Sequence, residues 1–214
     1  MPYILGADMR RRDFLAALIS AFGTWPLAAR GQQKLARLGY FAPAANADLL
    51  AALREGLRDL GYVEGRNLSI DFRYYGQSKG EDELAAELVR SQPDAIVVVG
   101  TPPGLAAKRQ TATIPIILAP AADPLRTGLV TSHAHPGGNV TGISLYGSEL
   151  ARKRMEVLTE AVAGIRQVAV LRNTGNPLHH FLWEDVAQTG SPLGLQLHAV
   201  SVSDFKELPS IFSA

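Results

Sequence analysis

Short apolar runs and amphipathic segments alternate along the chain from Lys34 onward. The run from Ala95 to Val99 is continuously apolar, which is typical of a strand that is buried on both faces of a parallel sheet. Leucines recur at helical spacing between Asp48 and Leu60, and Gly61 then ends this segment in the manner of a C-terminal cap. The alternation predicts an α/β fold with a doubly wound parallel sheet and helices on both faces.

The same pattern places each element. The predicted strands are Leu35–Phe41, Leu68–Arg73, Ala95–Val99, Pro115–Ala119, Val140–Ser144, Gln167–Leu171 and Leu195–Val202. The predicted helices are Asp48–Leu60, Glu81–Arg90, Gly104–Gln110, Ser148–Ala161 and Pro177–Gln188, and another begins at Asp204. The strands up to Ser144 form one lobe and the last two open a second. Because two strands bury both faces of a sheet poorly, we expect the second lobe to be incomplete.

The first residues follow a different pattern. Arg10, Arg11 and Arg12 precede an apolar segment of 16 residues, Phe14–Ala29, and small residues end it at Gly31. A basic cluster, an apolar segment and small residues predict a secretory signal, and the arginine pair indicates the twin-arginine route. A buried amphipathic helix is the alternative, but the segment has no polar face at helical period. We expect cleavage after Gly31 and a periplasmic product.

These patterns divide the chain into a signal peptide (residues 1–31), a first α/β lobe (32–147), and a linker helix with a partial second lobe (148–214). Translation starts at Met1 or Met9, and the sequence leaves both open. Removing residues 1–31 takes away four arginines and two aspartates, which leaves 17 basic and 18 acidic residues. This balance gives no reason to expect nucleic acid or an anionic membrane as a partner. With no cysteine, the chain has neither disulfides nor a lipid-anchoring cysteine.

Six motifs carry a family resemblance. They are Arg11-Arg12-Asp13-Phe14, Trp25-Pro26-Leu27-Ala28-Ala29-Arg30, Gly61-Tyr62-Val63-Glu64-Gly65-Arg66-Asn67, Ala112-Thr113-Ile114-Pro115-Ile116, Asp123-Pro124 and Pro136-Gly137-Gly138-Asn139-Val140-Thr141-Gly142. In this order they resemble the periplasmic substrate-binding proteins of ABC importers, in the tryptophan/tyrosine-type branch. The resemblance implies a type I periplasmic-binding fold of two hinged lobes with the ligand between them.

The resemblance also implies partners. They are a small amino-acid-like ligand, an aromatic amino acid among the candidates, and an ABC permease in the inner membrane. The protein is expected to act as a monomer, without cofactor or catalysis. Family members are longer than this chain. We expect the difference to be most of the second lobe and the segment that returns to the first. A truncated remnant that does not bind ligand is therefore an alternative.

In the first lobe, candidate ligand groups follow two strands. After the strand that ends at Gly100, Thr101 supplies a hydroxyl and the helix start near Gly104 supplies backbone N–H groups, which suit a carboxylate. After the next strand, Asp123 could pair with an ammonium group, so that the two sites would hold a zwitterion. Two alternatives stay open: Thr101 caps its own helix, or Asp123 caps a helix that has Pro124 in its first position.

In the second lobe, Asn173 and Asn176 follow a strand, and their amides could reach across the cleft when it closes. They are equally ordinary as turn residues. Tyr146 lies where a hinge segment would pass and could stack on an aromatic ligand.

Other functions find less support. His133 with His135, and His179 with His180, lack the further ligands that a metal site needs, and loop histidines in solvent are the alternative. No nucleophile and base for an exported hydrolase fall at strand ends. An exported sensor or ligand-binding domain of related fold remains an alternative, which would require an attached membrane segment.

Overall fold

The computed structural model describes residues 35–76, 79–145, 147, 149–203 and 205–213, apart from the side chains of residues 149 and 205. The predicted signal peptide and Tyr146 lie outside these residues. The described strands form two sheets, one of five strands and one of two.

The first sheet is wholly parallel. Its strands are β1 (Ala36–Ala42), β2 (Leu68–Tyr74), β3 (Ala95–Val98), β4 (Ile116–Ala122) and β5 (Val140–Leu145). They lie in the order β2-β1-β3-β4-β5, so β3 is central. Ile96, Val97 and Val98 of this strand are buried, as its continuous apolar run predicts. The doubly wound parallel sheet expected from the sequence is confirmed.

Helices cover both faces of this sheet. They are α1 (Ala47–Asp59), α2 (Glu81–Arg90) and α3 (Thr101–Gln110). Neighbouring strand residues point to opposite faces, so Tyr40 packs on the side of α1 and Phe41 on the side of α2 and α3. The α2/α3 side has the larger buried core. Leu88 of α2, which is fully buried, contributes about 1.5–3 kcal/mol by its removal from water.

Local chemistry explains where the helices begin. Asn46 is the N-cap of α1, since its side-chain oxygen accepts a hydrogen bond of 3.0 Å from the Leu49 N–H. The prediction that α3 begins at Gly104 is wrong, because it begins three residues earlier at Thr101. Pro102 and Pro103 occupy its first turn, where a missing N–H costs no intrahelical hydrogen bond.

The second sheet pairs two strands. After α4 (Glu149–Ala161) come β6 (Gln167–Asn173), α5 (Leu178–Gly190) and β7 (Gln196–Val202), then a 3₁₀ turn (Phe205–Glu207) and α6 (Leu208–Ser213). All seven residues of β6 pair in parallel with β7. Helix α5 packs on both strands and on α4. Gly190 allows its close approach, because a Cβ atom there would lie 2.5 Å from Leu197 Cδ1.

Both sheets belong to the same compact unit of the chain. They are joined by the segment that follows β5, in which the boundary predicted at residue 148 lies; that boundary stays a prediction. Among the described residues, no helix combines the length and the apolar character that a membrane span requires.

Candidate functional site

The strand order creates a topological switch point between β1 and β3 at the carboxyl edge of the first sheet. The chain leaves β1 toward α1 on one face, and it leaves the neighbouring strand β3 toward α3 on the other. Ligands of open parallel sheets bind at such a switch point, beyond the carboxyl ends of the strands. Gly100, Thr101 and Asp123 lie at this edge because they follow β3 and β4.

Thr101 links the ends of two strands. Its side chain is 2% exposed, and its Oγ1 donates a hydrogen bond of 3.4 Å to the Ala122 carbonyl at the end of β4. The alternative in which Thr101 caps α3 is wrong, because Gly100 is the N-cap and no side chain caps this helix. Gly100 has a φ of 96° and donates its N–H to the Pro120 carbonyl. The Thr101 hydroxyl is thus held in place, and its oxygen can still accept a hydrogen bond.

The start of α3 offers fewer N–H groups than the sequence predicts. Pro102 and Pro103 have no N–H, so Thr101 is the only one of the first three helical positions that presents a backbone donor. Gly104 is buried, and a Cβ atom there would lie 3.1 Å from Leu129 Cδ2. Its lack of a side chain therefore serves the packing of α3, and a contact with ligand stays a prediction.

Asp123 follows β4 in a strained, left-handed conformation with a φ of 44°. Its carbonyl accepts hydrogen bonds from both the N–H and the hydroxyl of Thr127, each of 3.0 Å. The alternative in which Asp123 caps a helix is wrong, because the residues from Pro124 to Gly128 form turns. Asp123 is half-buried at the edge of the sheet.

The carboxylate of Asp123 lies where the two lobes meet. A Cβ atom on Gly147 would lie 3.3 Å from Asp123 Oδ2 and 3.4 Å from Leu182 Cδ2. The end of β4, the connecting segment and α5 therefore converge at Gly147. Tyr146 precedes this glycine but is outside the described residues, so its stacking role stays a prediction.

Asn173 and Asn176 flank the turn between β6 and α5. The side-chain oxygen of Asn173 accepts from the Gly175 N–H at 2.8 Å, and that of Asn176 accepts from the Leu178 N–H at 3.1 Å. Both residues thus have the turn role that the sequence left open. Each side-chain NH₂ group can still donate to a ligand.

Arg126 joins the two lobes, although no motif in the sequence around it indicates this role. Its Nη1 lies 2.6 Å from Asp185 Oδ2, and its Nη2 lies 3.6 Å from Glu184 Oε2. The guanidinium carbon lies 4.8 Å from the centre of the Phe181 ring. All three partners are on α5, so the turn after Asp123 is attached to the helix that follows Asn176. No local signal predicts a partner 59 residues away.

The histidine pairs differ in their surroundings. His133 and His135 are exposed in a loop, which is the alternative to a metal site that the sequence left open. His180 is on α5 with its Nε2 3.4 Å from Glu184 Oε1. His179 is half-buried at the start of α5, and its burial lowers the pKa of its ring. Within the described parts of the chain, no three acidic or histidine side chains gather as metal ligands would.

Comparison with known proteins identifies related sequences. The model of the ABC transporter substrate binding protein family matches residues 44–214. A tyrosine-binding protein from Clostridioides difficile is 35% identical over 121 residues, which are 56% of this chain and 34% of that protein.

Solved structures share the fold. A conserved domain protein from Vibrio cholerae has a TM-score of 0.74 and 27% identity, over 83% of this chain and 60% of that one. An ABC domain from Streptococcus pneumonia in complex with L-Trp has a TM-score of 0.72 and 23% identity, over 82% and 60% of the two chains. A periplasmic binding protein from Burkholderia mallei, with 13% identity over 84% and 50% of the two chains, has a TM-score of 0.56. The periplasmic-binding fold expected from the sequence is confirmed.

Proposed function

The chain belongs to the ABC transporter substrate binding protein family, and from this premise we propose that it is an extracytoplasmic solute-binding protein. It captures an amino-acid-like ligand between its lobes and delivers it to an ABC permease. The predicted signal peptide at residues 1–31 supports a periplasmic location. The tyrosine-binding relative and the L-Trp complex support an amino acid as ligand, and an aromatic one first.

The position of Asp123 carries this proposal. Its half-buried carboxylate stands at the carboxyl edge of the first sheet, next to Gly147 and close to Leu182 of the second lobe. A ligand bound there would touch groups from both lobes. Closure needs such a ligand, because a conformational change follows only when the ligand interacts more strongly with the closed state than with the open one.

The ammonium group, the carboxylate and the side chain of an amino acid would each contact different residues of the protein. The Asp123 carboxylate would pair with the ammonium group. The ligand carboxylate would accept from the second lobe, through the NH₂ groups of Asn173 and Asn176. It would also accept from the Thr101 hydroxyl, which must turn its single proton from the Ala122 carbonyl to the ligand. The N-terminus of α3 would contribute little, because its two prolines remove donors. Tyr146 would stack on the ligand side chain.

Thermal unfolding of the full chain tests the proposal. L-Tyrosine, L-tryptophan, L-phenylalanine and L-glutamate would each be added at millimolar concentration. A ligand at one hundred times its Kd adds about 2.7 kcal/mol to the free energy of unfolding. The aromatic amino acids should raise Tm in the wild type and raise it far less in Asp123→Asn, which keeps the shape of the side chain but removes its charge.

Two results would contradict the proposal. If no amino acid raises Tm of a cooperatively folded wild type, the chain does not bind this class of ligand. If Asp123→Asn responds as strongly as the wild type, the ammonium group is recognised elsewhere. Asp82→Asn is a control for the general effect of removing an acidic charge, because its exposed carboxylate pairs with Arg109 within the first lobe.

A further inference from the structure

His179 closes the turn that carries the two candidate asparagines. The Asn173 N–H donates a hydrogen bond of 2.8 Å to His179 Nδ1. The His179 N–H in turn donates to the Asn176 carbonyl at 3.0 Å, and the Asn176 N–H donates to the Asn173 carbonyl at 3.2 Å. One residue thus holds the backbone of both asparagines, through its side chain and through its main chain.

The hydrogen bond requires one protonation state of the ring. Nδ1 accepts, so it carries no hydrogen, and the ring hydrogen of neutral His179 is on Nε2. In the protonated ring both nitrogens are donors. Nδ1–H would then face the Asn173 N–H, and that backbone donor would lose its acceptor.

The surroundings favour the neutral ring. His179 is half-buried, and this burial lowers the pKa of its ring below the ordinary 6.5. Charged and titratable side chains on the packed elements have other partners or are exposed. Arg172 of β6 lies over the Trp183 ring. On α5, Glu184 lies between His180 and Arg126, and Asp185 pairs with Arg126. On α4, Glu156 pairs with Arg152 and Lys153, while Arg154 and Glu160 of α4 and His198 of β7 are exposed.

We propose that neutral His179 is a positioning residue that holds the β6–α5 turn, with Asn173 and Asn176, in its ligand-binding arrangement, and that protonation of the ring releases this turn. The proposal rests on the proposed function, since it gives the two asparagines to the ligand. Ligand affinity should then fall as the pH falls through the titration of His179. By linkage, bound ligand should also make the ring harder to protonate.

The test compares a hydrogen-bond acceptor that titrates, the ring of His179, with an acceptor that does not titrate. His179→Asn can place its side-chain oxygen near the position of Nδ1 and has no proton equilibrium in this range. His179→Leu has no acceptor, and His180→Asn is the control on the same helix. The Kd of the full chain for L-tyrosine and L-tryptophan would be measured by calorimetry at several values between about pH 8 and pH 5.5, chosen around the ordinary histidine pKa.

The expected results separate the variants. The wild type and His180→Asn should lose about fivefold in affinity toward the acidic end, the size of one hydrogen bond. His179→Asn should bind with little dependence on pH, and His179→Leu should bind about fivefold more weakly at every pH. If His179→Asn follows the wild-type pH profile, the proposal is overturned.

A second measurement needs no ligand and separates this proposal from the proposed function. The protection factor of the Asn173 amide against hydrogen exchange should fall in the wild type at acidic pH and stay high in His179→Asn. Ring ¹⁵N shifts of the wild type should show the tautomer with its hydrogen on Nε2. If these results are obtained and no amino acid binds, the proposed function is wrong, but the role of His179 in holding the β6–α5 turn is confirmed. If the protection factor of the Asn173 amide changes neither with pH nor with the side chain at position 179, the positioning role is refuted.

Discussion

The guanidinium of Arg126 contacts the carboxylate of Asp185 across the boundary between the lobes, with 2.6 Å between Nη1 and Oδ2. The side chains are 34% and 22% exposed, so solvent screens the pair less than a fully exposed one. Because Arg126 lies three residues after Asp123 in sequence, the contact connects the candidate ammonium site of the first lobe to helix α5 of the second. The relative position of the two lobes therefore depends on a charge pair and on the stacking of Arg126 over Phe181.

Removal of this contact should weaken the association of the lobes. Arg126→Ala loses a partly exposed ion pair and a cation–π contact, so we expect the free energy of unfolding to fall by about 1 kcal/mol. Urea unfolding at low and high salt measures this change in the free energy of unfolding. Arg152→Ala is the matched control, since Arg152 is 80% exposed and its pair with Glu156 is within one helix. Equal effects of the two variants would show that the lobe contact adds nothing beyond a surface pair.

The hydroxyl of Thr101 should matter more for binding than for stability. Its hydrogen bond to the Ala122 carbonyl is long, at 3.4 Å, so Thr101→Val should cost less than about 1 kcal/mol of stability. If the hydroxyl turns its proton from the Ala122 carbonyl to the ligand carboxylate on binding, Thr101→Val should reduce affinity for L-tyrosine about tenfold. Calorimetry measures it, with Thr101→Ser as the control that keeps the hydroxyl. Similar affinity of the Val and Ser variants would remove Thr101 from the site.

The core beneath α2 should be sensitive to the loss of volume. Leu88 is fully buried, and its side chain fills the space above Gly39, where a Cβ atom would lie 3.0 Å from Leu88 Cδ2. Leu88→Ala should lower the free energy of unfolding by about 2–5 kcal/mol, because it leaves a cavity. Leu60→Ala, at a position that is 76% exposed, should change it by less than about 0.5 kcal/mol. Denaturant unfolding measures the free energy of unfolding of both variants. If Leu88→Ala lowers it no more than Leu60→Ala does, this packing is contradicted.

His179 should make stability depend on pH. Its folded-state pKa is lowered from 6.5 by burial, so the unfolded chain takes up the proton more readily. The contribution of the neutral ring is therefore fully present above pH 6.5, and it is lost as the pH falls from there through the folded-state pKa. Urea unfolding in this range should show a steeper loss for the wild type than for His179→Asn. Parallel curves would mean that His179 does not titrate differently on folding.

Local pattern was enough for much of the fold. Glu81–Arg90 forms a helix with the bounds that its acidic start, basic end and leucine spacing predict. The apolar run that begins at Ala95 is the central strand, and its three consecutive buried residues, Ile96, Val97 and Val98, reflect the cover that a central parallel strand has on both faces. Such elements are predictable because the period of a helix or a strand appears in consecutive residues.

Local pattern failed where two conformations share the same residues. The helix predicted from Gly104 begins at Thr101, and Pro102 and Pro103 lie inside it because proline fits a first turn as well as a loop. Asp123-Pro124 suggested a capped helix, but the Thr127 hydroxyl and N–H close a turn on the Asp123 carbonyl instead. Packing around Leu129 and Val130, which are buried after this turn, favours that path of the chain.

The sequence by itself determined the alternation of strands and helices, the parallel sheet and the edge at which Thr101 and Asp123 lie, because these follow from periodicity and from the common direction of parallel strands. Only the tertiary structure decided which groups meet there. Arg126 finds Asp185 on another lobe, and the His179 ring takes the Asn173 N–H as its partner. Such contacts depend on how side chains from separate elements are oriented after packing, which no spacing along the chain encodes.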